Sequence, residues 1–403
     1  MNPWPVIGAC LRRYRWTAVT FMLLVTAGVS LAVALVSQER ALRTGSTRAA
    51  DRFDLIVAAP GSQTEALLTA VYLRPGAPKL LAPGTTAQLL NERRAAFVAP
   101  LAFGDSHGGA PVVGTTAALI AHLSDGLAEG RVFVNRNEAV VGATSPLSVG
   151  TTFRPTHGHG AQAEAEDAHE HGATLTVVGR MKPTGSPWDR GIAVPVEVVW
   201  ELHGLPDGHA KGSETIGPPF NAERTPGIPA AVVRPESVAM AYRLRSAYST
   251  TDSMAFFPAE ALRSLYSVLG DMRRLMSVLA LVTQALVLAA ITASVLILFR
   301  VLTSQFVTLR ALGAPRRYLF AVAWGFTACL FLGGTLVGLA GGYGVSFAVS
   351  RWLASETGIA LAPTIGVAEL AIAGGVLATG LVLAVVPAWL IQRRPLAEAL
   401  VDT

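Results

Sequence analysis

Four stretches of this chain carry no formal charge and are long enough to cross a membrane. They are Trp16–Gln38, Leu275–Phe299, Tyr318–Ser350 and Leu370–Gln392, of 23, 25, 33 and 23 residues. About 20 apolar helical residues cover a hydrocarbon core about 30 Å thick, so each run predicts a spanning helix. Composition agrees: 51% of residues are hydrophobic and 15% charged, with a mean hydropathy of +0.46, where soluble domains carry about 25% charge. These values exclude a disordered chain and argue against an ordinary cytosolic one. Arg12, Arg13 and Arg15 precede the first run as in a signal peptide. The run is too long for that, and no small-residue cleavage motif follows, which predicts a retained anchor. The two cysteines, Cys10 and Cys329, lie in or beside apolar runs, leaving no material for a disulfide framework or a cysteine-rich metal site.

Charge placement predicts the orientation. Arg12, Arg13, Arg15, Arg300, Arg310, Arg316, Arg317, Arg393 and Arg394 face only Glu398 and Asp402 in the three segments that hold them, a sum of +7. Residues 39–274 hold 22 basic and 23 acidic residues, and residues 351–369 also sum to −1. The whole positive excess lies on one side, so the positive-inside rule puts both termini and the 300–317 loop in the cytoplasm. The expected order is a cytoplasmic segment 1–15, helix 16–38, an external domain 39–274, helix 275–299, a cytoplasmic loop 300–317, helix 318–350, an external loop 351–369, helix 370–392 and a cytoplasmic tail 393–403. The basic pI of 9.5 then belongs to membrane flanks and does not point to nucleic acid.

Within the external block, short apolar runs alternate with polar turns. Strands are predicted at Arg52–Ala59, Ala95–Leu101, Glu138–Gly142, Leu175–Gly179 and Ala230–Val233. Helices are predicted at Gln63–Tyr72, Pro235–Arg245 and Pro258–Gly270. The mixture predicts a large, two-lobed α+β domain. Residues 39–50 continue the first span and 258–270 lead into the second, as a stalk. Phe103–His107 has the composition of a turn between strands, and the Gly/Pro-rich stretch Gly204–Pro229 that of an irregular loop.

The spans contain no Asp, Glu, Lys, Arg or His, which argues against an ion-coupled pump. Gly334, Gly338 and Gly342 recur at four-residue spacing, a pattern that lets helix backbones approach closely in lipid, within the chain or between two copies. In the 300–317 loop, Leu302, Phe306, Leu309 and Leu312 or Gly313 recur at helical spacing. They predict a short amphipathic helix along the membrane surface, ended by Gly313 and turned by Pro315.

Leu309-Arg310-Ala311-Leu312-Gly313-Ala314 and the basic residues after it resemble the cytoplasmic coupling segment of MacB/FtsX/LolC-type ABC transporter permeases. So do Val386-Pro387-Ala388 and Pro395-Leu396-Ala397-Glu398-Ala399-Leu400 near the end, and the one-plus-three arrangement of spans around a large external domain. The resemblance implies that Leu302, Gln305, Phe306, Leu309, Arg310, Leu312 and Gly313 couple to a separate cytoplasmic ATPase dimer. It further implies that two permease chains pair, identical ones being the simplest case, and that ATP-driven closure moves the external domains. Such permeases commonly carry an Arg-Glu pair where this chain has Ser304 and Gln305, which puts one acidic contact in doubt. The chain has no G-x-x-x-x-G-K-[ST] loop, so ATP and magnesium belong to the partner and no catalysis of its own is expected.

All eight histidines lie in the external block. His157, His159, His169 and His171 form a cluster rich in Gly, Ala and Glu. Imidazoles beside carboxylates suit zinc, nickel or copper; the same composition also describes a solvated loop or a pH-responsive one. Thr174–Arg190 (TLTVVGRMKPTGSPWDR) resembles a subgroup of these permeases in which a His-Gly segment precedes a V-V-G strand and a Pro-Thr-Gly-x-Pro-x-Asp-Arg turn. Asp189 and Arg190 are expected to pair or cap within that turn. The resemblance implies an inner-membrane permease acting on a lipoprotein, lipid, peptide or protein-delivered metal, with a periplasmic binding protein or lipoprotein as a further partner. An FtsX-like regulator of a cell-wall hydrolase and a metal-responsive membrane sensor are the alternatives.

Overall fold

The computed structural model describes residues 2–74, 76, 79–158, 173–267, 270, 278, 282, 285, 289, 292–293, 309–310, 313–385 and 388–389. They divide into two units: residues 1–42, 270–352 and 361–403 form the first, and residues 43–269 and 353–360 the second.

The chain opens with α1 (Trp4–Arg13) and α2 (Arg15–Ala50). It continues with β1 (Leu55–Ala58), α3 (Gln63–Ala70), α4 (Pro83–Leu90), β2 (Ala95–His107), β3 (Ala110–Thr115) and α5 (Ala117–Ser124). β4 (Leu127–Gly130), β5 (Glu138–Val141), β6 (Thr152–Phe153), β7 (Thr156–His157), β8 (Leu175–Met181) and β9 (Ile192–Pro195) follow. Then come α6 (Val196–Leu202), β10 (Ala230–Pro235), α7 (Val238–Ala247), β11 (Met254–Phe256) and α8, described over residues 258–267. α9 (Arg316–Thr357) and α10 (Val367–Leu383) close the described chain.

Among the described residues, α2 and α9 are long and apolar enough to cross a membrane, and α10 is a shorter apolar helix. The described residues 278, 282, 285, 289, 292 and 293 of the second predicted span are all helical. α2 runs unbroken for 36 residues, about 54 Å at 1.5 Å per residue, so the expected continuation through residues 39–50 is present. α9 exceeds its apolar run, carrying on through Arg351 and Trp352 to Thr357. A charge marks where lipid ends, and a helix stops only where its backbone is capped; here Gly358, at φ +73°, supplies the stop.

In the first unit, α2 and α9 share a core with Phe21 edge-on to Phe331 at 5.2 Å. Polar groups near the far end of α2 are satisfied there: Ser350 Oγ donates to Gln38 Oε1 at 3.0 Å. The Arg40 guanidinium meets Glu369 at 2.8 Å, and the same carboxylate accepts the Gly366 N–H at the start of α10.

The second unit is α+β. Its described strands form an 11-stranded mixed sheet in the order β11-β1-β10-β2-β3-β9-β5-β8-β4, with β6 on β8 and β7 on β2. The sheet is continuous because the 13-residue β2 pairs with β10 through its first half and with β3 through its second. β1, β5 and β9 are buried at every position, as strands covered on both faces must be, and β8 alternates with period two. Local chemistry sets the helix starts. Ser62 accepts from the Glu65 N–H to open α3, and Ser237 accepts from the Met240 N–H to open α7. Pro235, expected in the first turn of a helix, ends β10 instead. A carboxylate clasp holds the β4–β5 connection. Glu138 takes both arms of Arg131 and the N–H groups of Val134 and Asn135. Arg131 above all keeps that carboxyl at about 2, below its ordinary 4.5.

Phe103–His107 is not the turn its composition suggests. It belongs to β2, whose register shifts between Ala102 and Asp105, with Gly104 at φ +151°. The reversal into β3 falls on Gly108 and Gly109, at φ +54° and +76°, a backbone region that glycine enters without strain.

Candidate functional site

The bulge in β2 gathers a close group of donor atoms in the second unit. β7 pairs antiparallel with β2 so that Asp105 stands opposite His157 and Ser106 opposite Thr156. The Gly158 N–H donates to the Gly104 carbonyl at 3.0 Å and the Thr156 hydroxyl to the Ser106 carbonyl at 3.0 Å, which pins the register. Directly opposed residues share a face, and His157 Nδ1 lies 3.6 Å from Asp105 Oδ1. α6 brings the third member: His203 Nε2 is 3.8 Å from the same oxygen. The two imidazole rings lie 5.2 Å apart, inclined at 54°. Asp105 is fully buried, His203 half-buried and His157 60% exposed. Among the described residues this is the one group of three His, Cys, Asp or Glu side chains whose donor atoms all fall within 4.8 Å of one another.

The neighbours fix the geometry. His203 Nδ1 is 2.8 Å from the Val199 carbonyl oxygen, which only accepts, so Nδ1 carries the proton and Nε2 is directed at Asp105. A Cβ on residue 104 would stand 2.5 Å from His203 Nε2, so the glycine that allows the bulge also leaves room for the ring. His203 and Gly104 border a cavity of about 290 Å³ whose walls include Phe103, Val199, Trp200 and Leu205.

Of the four clustered histidines, the structure places His157 in this group; His159, His169 and His171 lie outside the described residues. Thr156 and His157, grouped by composition with the loop that follows, are strand. Asp105 lies in a segment with the composition of a turn, and nothing in the sequence sets His203 apart from the other histidines outside the cluster. The remaining described histidines are engaged elsewhere. His107 and His122 each place a ring nitrogen 2.9 Å from a backbone carbonyl. His209 faces Glu197 at 3.2 Å, where burial raises the carboxyl.

The Pro183–Arg190 turn is a docking element. Asp189 accepts from the Thr184 N–H and hydroxyl and from the Gly185 N–H at 2.7–2.8 Å, so it caps the turn. Arg190 does not pair with it. Its guanidinium donates to the carbonyls of Ser355 and Glu356 at 2.9 and 2.8 Å, in the last turn of α9. Those carbonyls sit in the last turn, at the negative end of the helix dipole. The Ala360 N–H adds a bond to the Gly185 carbonyl at 3.1 Å, and residues 353–360 count with the second unit.

In the first unit, Gly334, Gly338 and Gly342 face α2 of the same chain. Cβ atoms there would meet Val25, Val29 and Val33 at 2.7–2.8 Å, and the Thr26 hydroxyl donates to the Gly334 carbonyl. Gly338→Ala is therefore expected to cost about 1–3 kcal/mol by overpacking. Gly344→Ala, where no described residue lies within 4 Å, should be neutral or slightly stabilising through helix propensity. Thermal unfolding in detergent checks this; equal shifts for the two variants would contradict the packing.

Of the residues expected to couple to an ATPase, Leu309, Arg310 and Gly313 are described, while Leu302, Gln305, Phe306 and Leu312 lie outside the described residues. The Gly313 N–H bonds to the Arg310 carbonyl and the Ala314 N–H to the Leu309 carbonyl, with Gly313 at φ +93°. These are the two bonds of a Schellman motif, so Gly313 ends a helical turn before Pro315 leads into α9. Leu309 is half-buried against the core of the first unit.

Residues 277–396 match the family model of the FtsX-like permease C-terminal domain. The match bears out the resemblance to FtsX/MacB/LolC-like ABC permeases that the motifs suggested. No curated protein matches the chain.

Proposed function

We propose that this chain is the transmembrane subunit of an ABC transporter complex that moves or extracts cargo on the external side of an inner membrane. Four helices span the membrane, both termini are cytoplasmic, and the external unit is periplasmic. The 300–317 segment docks on a separate ATPase dimer, and two permease chains pair above it. ATP binding and hydrolysis in the partner shift the helices, and the helices shift the external domain.

The observation that carries this reading is the end of α9. Its last residues are built into the external unit by the Arg190 clasp. α9 itself is an unbroken helix from Arg316, and its starting end follows the loop that matches the coupling motif. A continuous helix that starts after the coupling segment and ends within the external domain is what transmission of motion requires. The family match over residues 277–396 supports the same reading. Spans without charged residues agree with cargo that never threads the helices.

The experiment is purification of the tagged full chain from its native membranes in mild detergent, followed by ATP hydrolysis measured across the eluted peak. Magnesium-dependent hydrolysis co-eluting with the chain is expected. A chain that elutes folded and without ATPase activity would overturn the proposal in favour of a membrane-anchored sensor.

A further inference from the structure

We propose that Asp105, His157 and His203 bind a divalent first-row transition-metal ion, zinc being the best fit. The spacing of the donor atoms carries the argument. With its Nδ1 proton given to the Val199 carbonyl, His203 turns Nε2 toward the Asp105 carboxylate. Two acceptors turned toward one another repel unless a proton or a cation stands between them. A shared proton draws nitrogen and oxygen to about 2.7–2.9 Å. A tetrahedral ion with bonds of about 2.0–2.2 Å holds its ligand atoms about 3.3–3.6 Å apart. The 3.6 Å separation from Asp105 Oδ1 falls in the second range and the 3.8 Å one just beyond it, and both are far longer than a shared proton allows.

The surroundings are those of a built site. The carboxylate is fully buried, and a neighbouring cation offsets the cost of burying a charge. A backbone carbonyl orients the His203 ring, the usual outer-shell device for a metal-bound imidazole. Gly104 clears the space the ring occupies, and the flanking apolar cavity strengthens attraction between ion and carboxylate. Two imidazoles and one carboxylate favour zinc, copper, nickel or cobalt over magnesium and calcium, which prefer all-oxygen shells. The ion would tie β2, β7 and α6 together. This inference does not rest on the permease reading, since it concerns the external unit alone.

The test uses the full chain in detergent, stripped with a chelator and titrated with zinc against a fluorescent competitor. One equivalent at micromolar affinity or tighter is expected. Asp105→Asn, His203→Gln and His157→Ala should each weaken it about 100-fold or more, since even outer-shell changes cost about 10–100-fold. His157 is 60% exposed, so His157→Ala leaves the fold intact and carries the test where Asp105→Asn disturbs folding. Absence of zinc binding by the wild-type chain would overturn the proposal. So would unchanged affinity in folded His157→Ala and His203→Gln variants together with loss of binding when His159, His169 and His171 are replaced by alanine, which would assign the ion to the histidine tract.

Discussion

Phe306→Asp is expected to abolish stimulation of the partner ATPase while leaving the permease folded in the membrane. Phe306 lies on the apolar stripe of the 300–317 segment with Leu302, Leu309 and Leu312. On the proposed reading that stripe is shared between the membrane core and the ATPase. Leu309 already packs against the core of its own chain, so aspartate there would mix a folding defect with a docking defect, and Phe306 is the cleaner probe. An unpaired carboxylate in an apolar contact costs about 3–5 kcal/mol, which weakens docking about 100-fold or more. ATP turnover of the reconstituted complex, measured as the ATPase is titrated, reads the effect. Unaltered stimulation at every concentration would show that the segment does not couple.

Arg190→Ala is expected to act at the opposite end of α9. Its two bonds to the Ser355 and Glu356 carbonyls are charge-assisted, a class worth about 1.5–3 kcal/mol each when removed. Arg190 is exposed, so solvent reduces the total to about 2 kcal/mol. That corresponds to roughly 30-fold more frequent opening of residues 353–360. Hydrogen exchange should rise in that segment and in Thr184–Gly185 and remain unchanged in β1 and β10, while ATPase stimulation survives and cargo movement is lost. Arg190→Lys, which keeps the charge but not the planar fork, should restore part of the protection. Gly358→Ala offers a second route to the same defect, because a Cβ at φ +73° would press on Pro187 and Arg190 at 3.0 and 3.2 Å. Unchanged exchange in both variants would remove the clasp from the mechanism.

Features that depend on neighbouring residues were legible in the sequence. The apolar runs located α2, α9 and α10, and the Gly313 stop was visible beside Pro315. The closely packed glycines of α9 showed in their spacing, although spacing alone left open whether α2 or a second chain filled the groove. Features that depend on residues far apart were not legible. Nothing in the order of the chain links Asp105, His157 and His203, which meet only because β7 returns to β2 and α6 packs on its bulge. Gly104-Asp105-Ser106 has turn chemistry, and only the paired partners show it to be strand. The extension of α9 beyond Ser350 was hidden for a different reason: Arg351 ends the apolar run but not the helix. Arg190 was expected to act inside its own turn, whereas its partners come from residues 355 and 356.

Pulsed electron-spin distance measurement shows whether ATP-driven motion reaches the external unit of the proposed complex. Spin labels at Val238, a 76% exposed position on α7, would be placed in the permease copies of a complex reconstituted in lipid discs with its ATPase. Two copies should give a dipolar signal and a distance distribution that shifts by several ångströms between the nucleotide-free and ATP-bound states. Arg190→Ala should abolish the shift. A distribution that stays the same in both states while the ATPase turns over would contradict transmission of the motion.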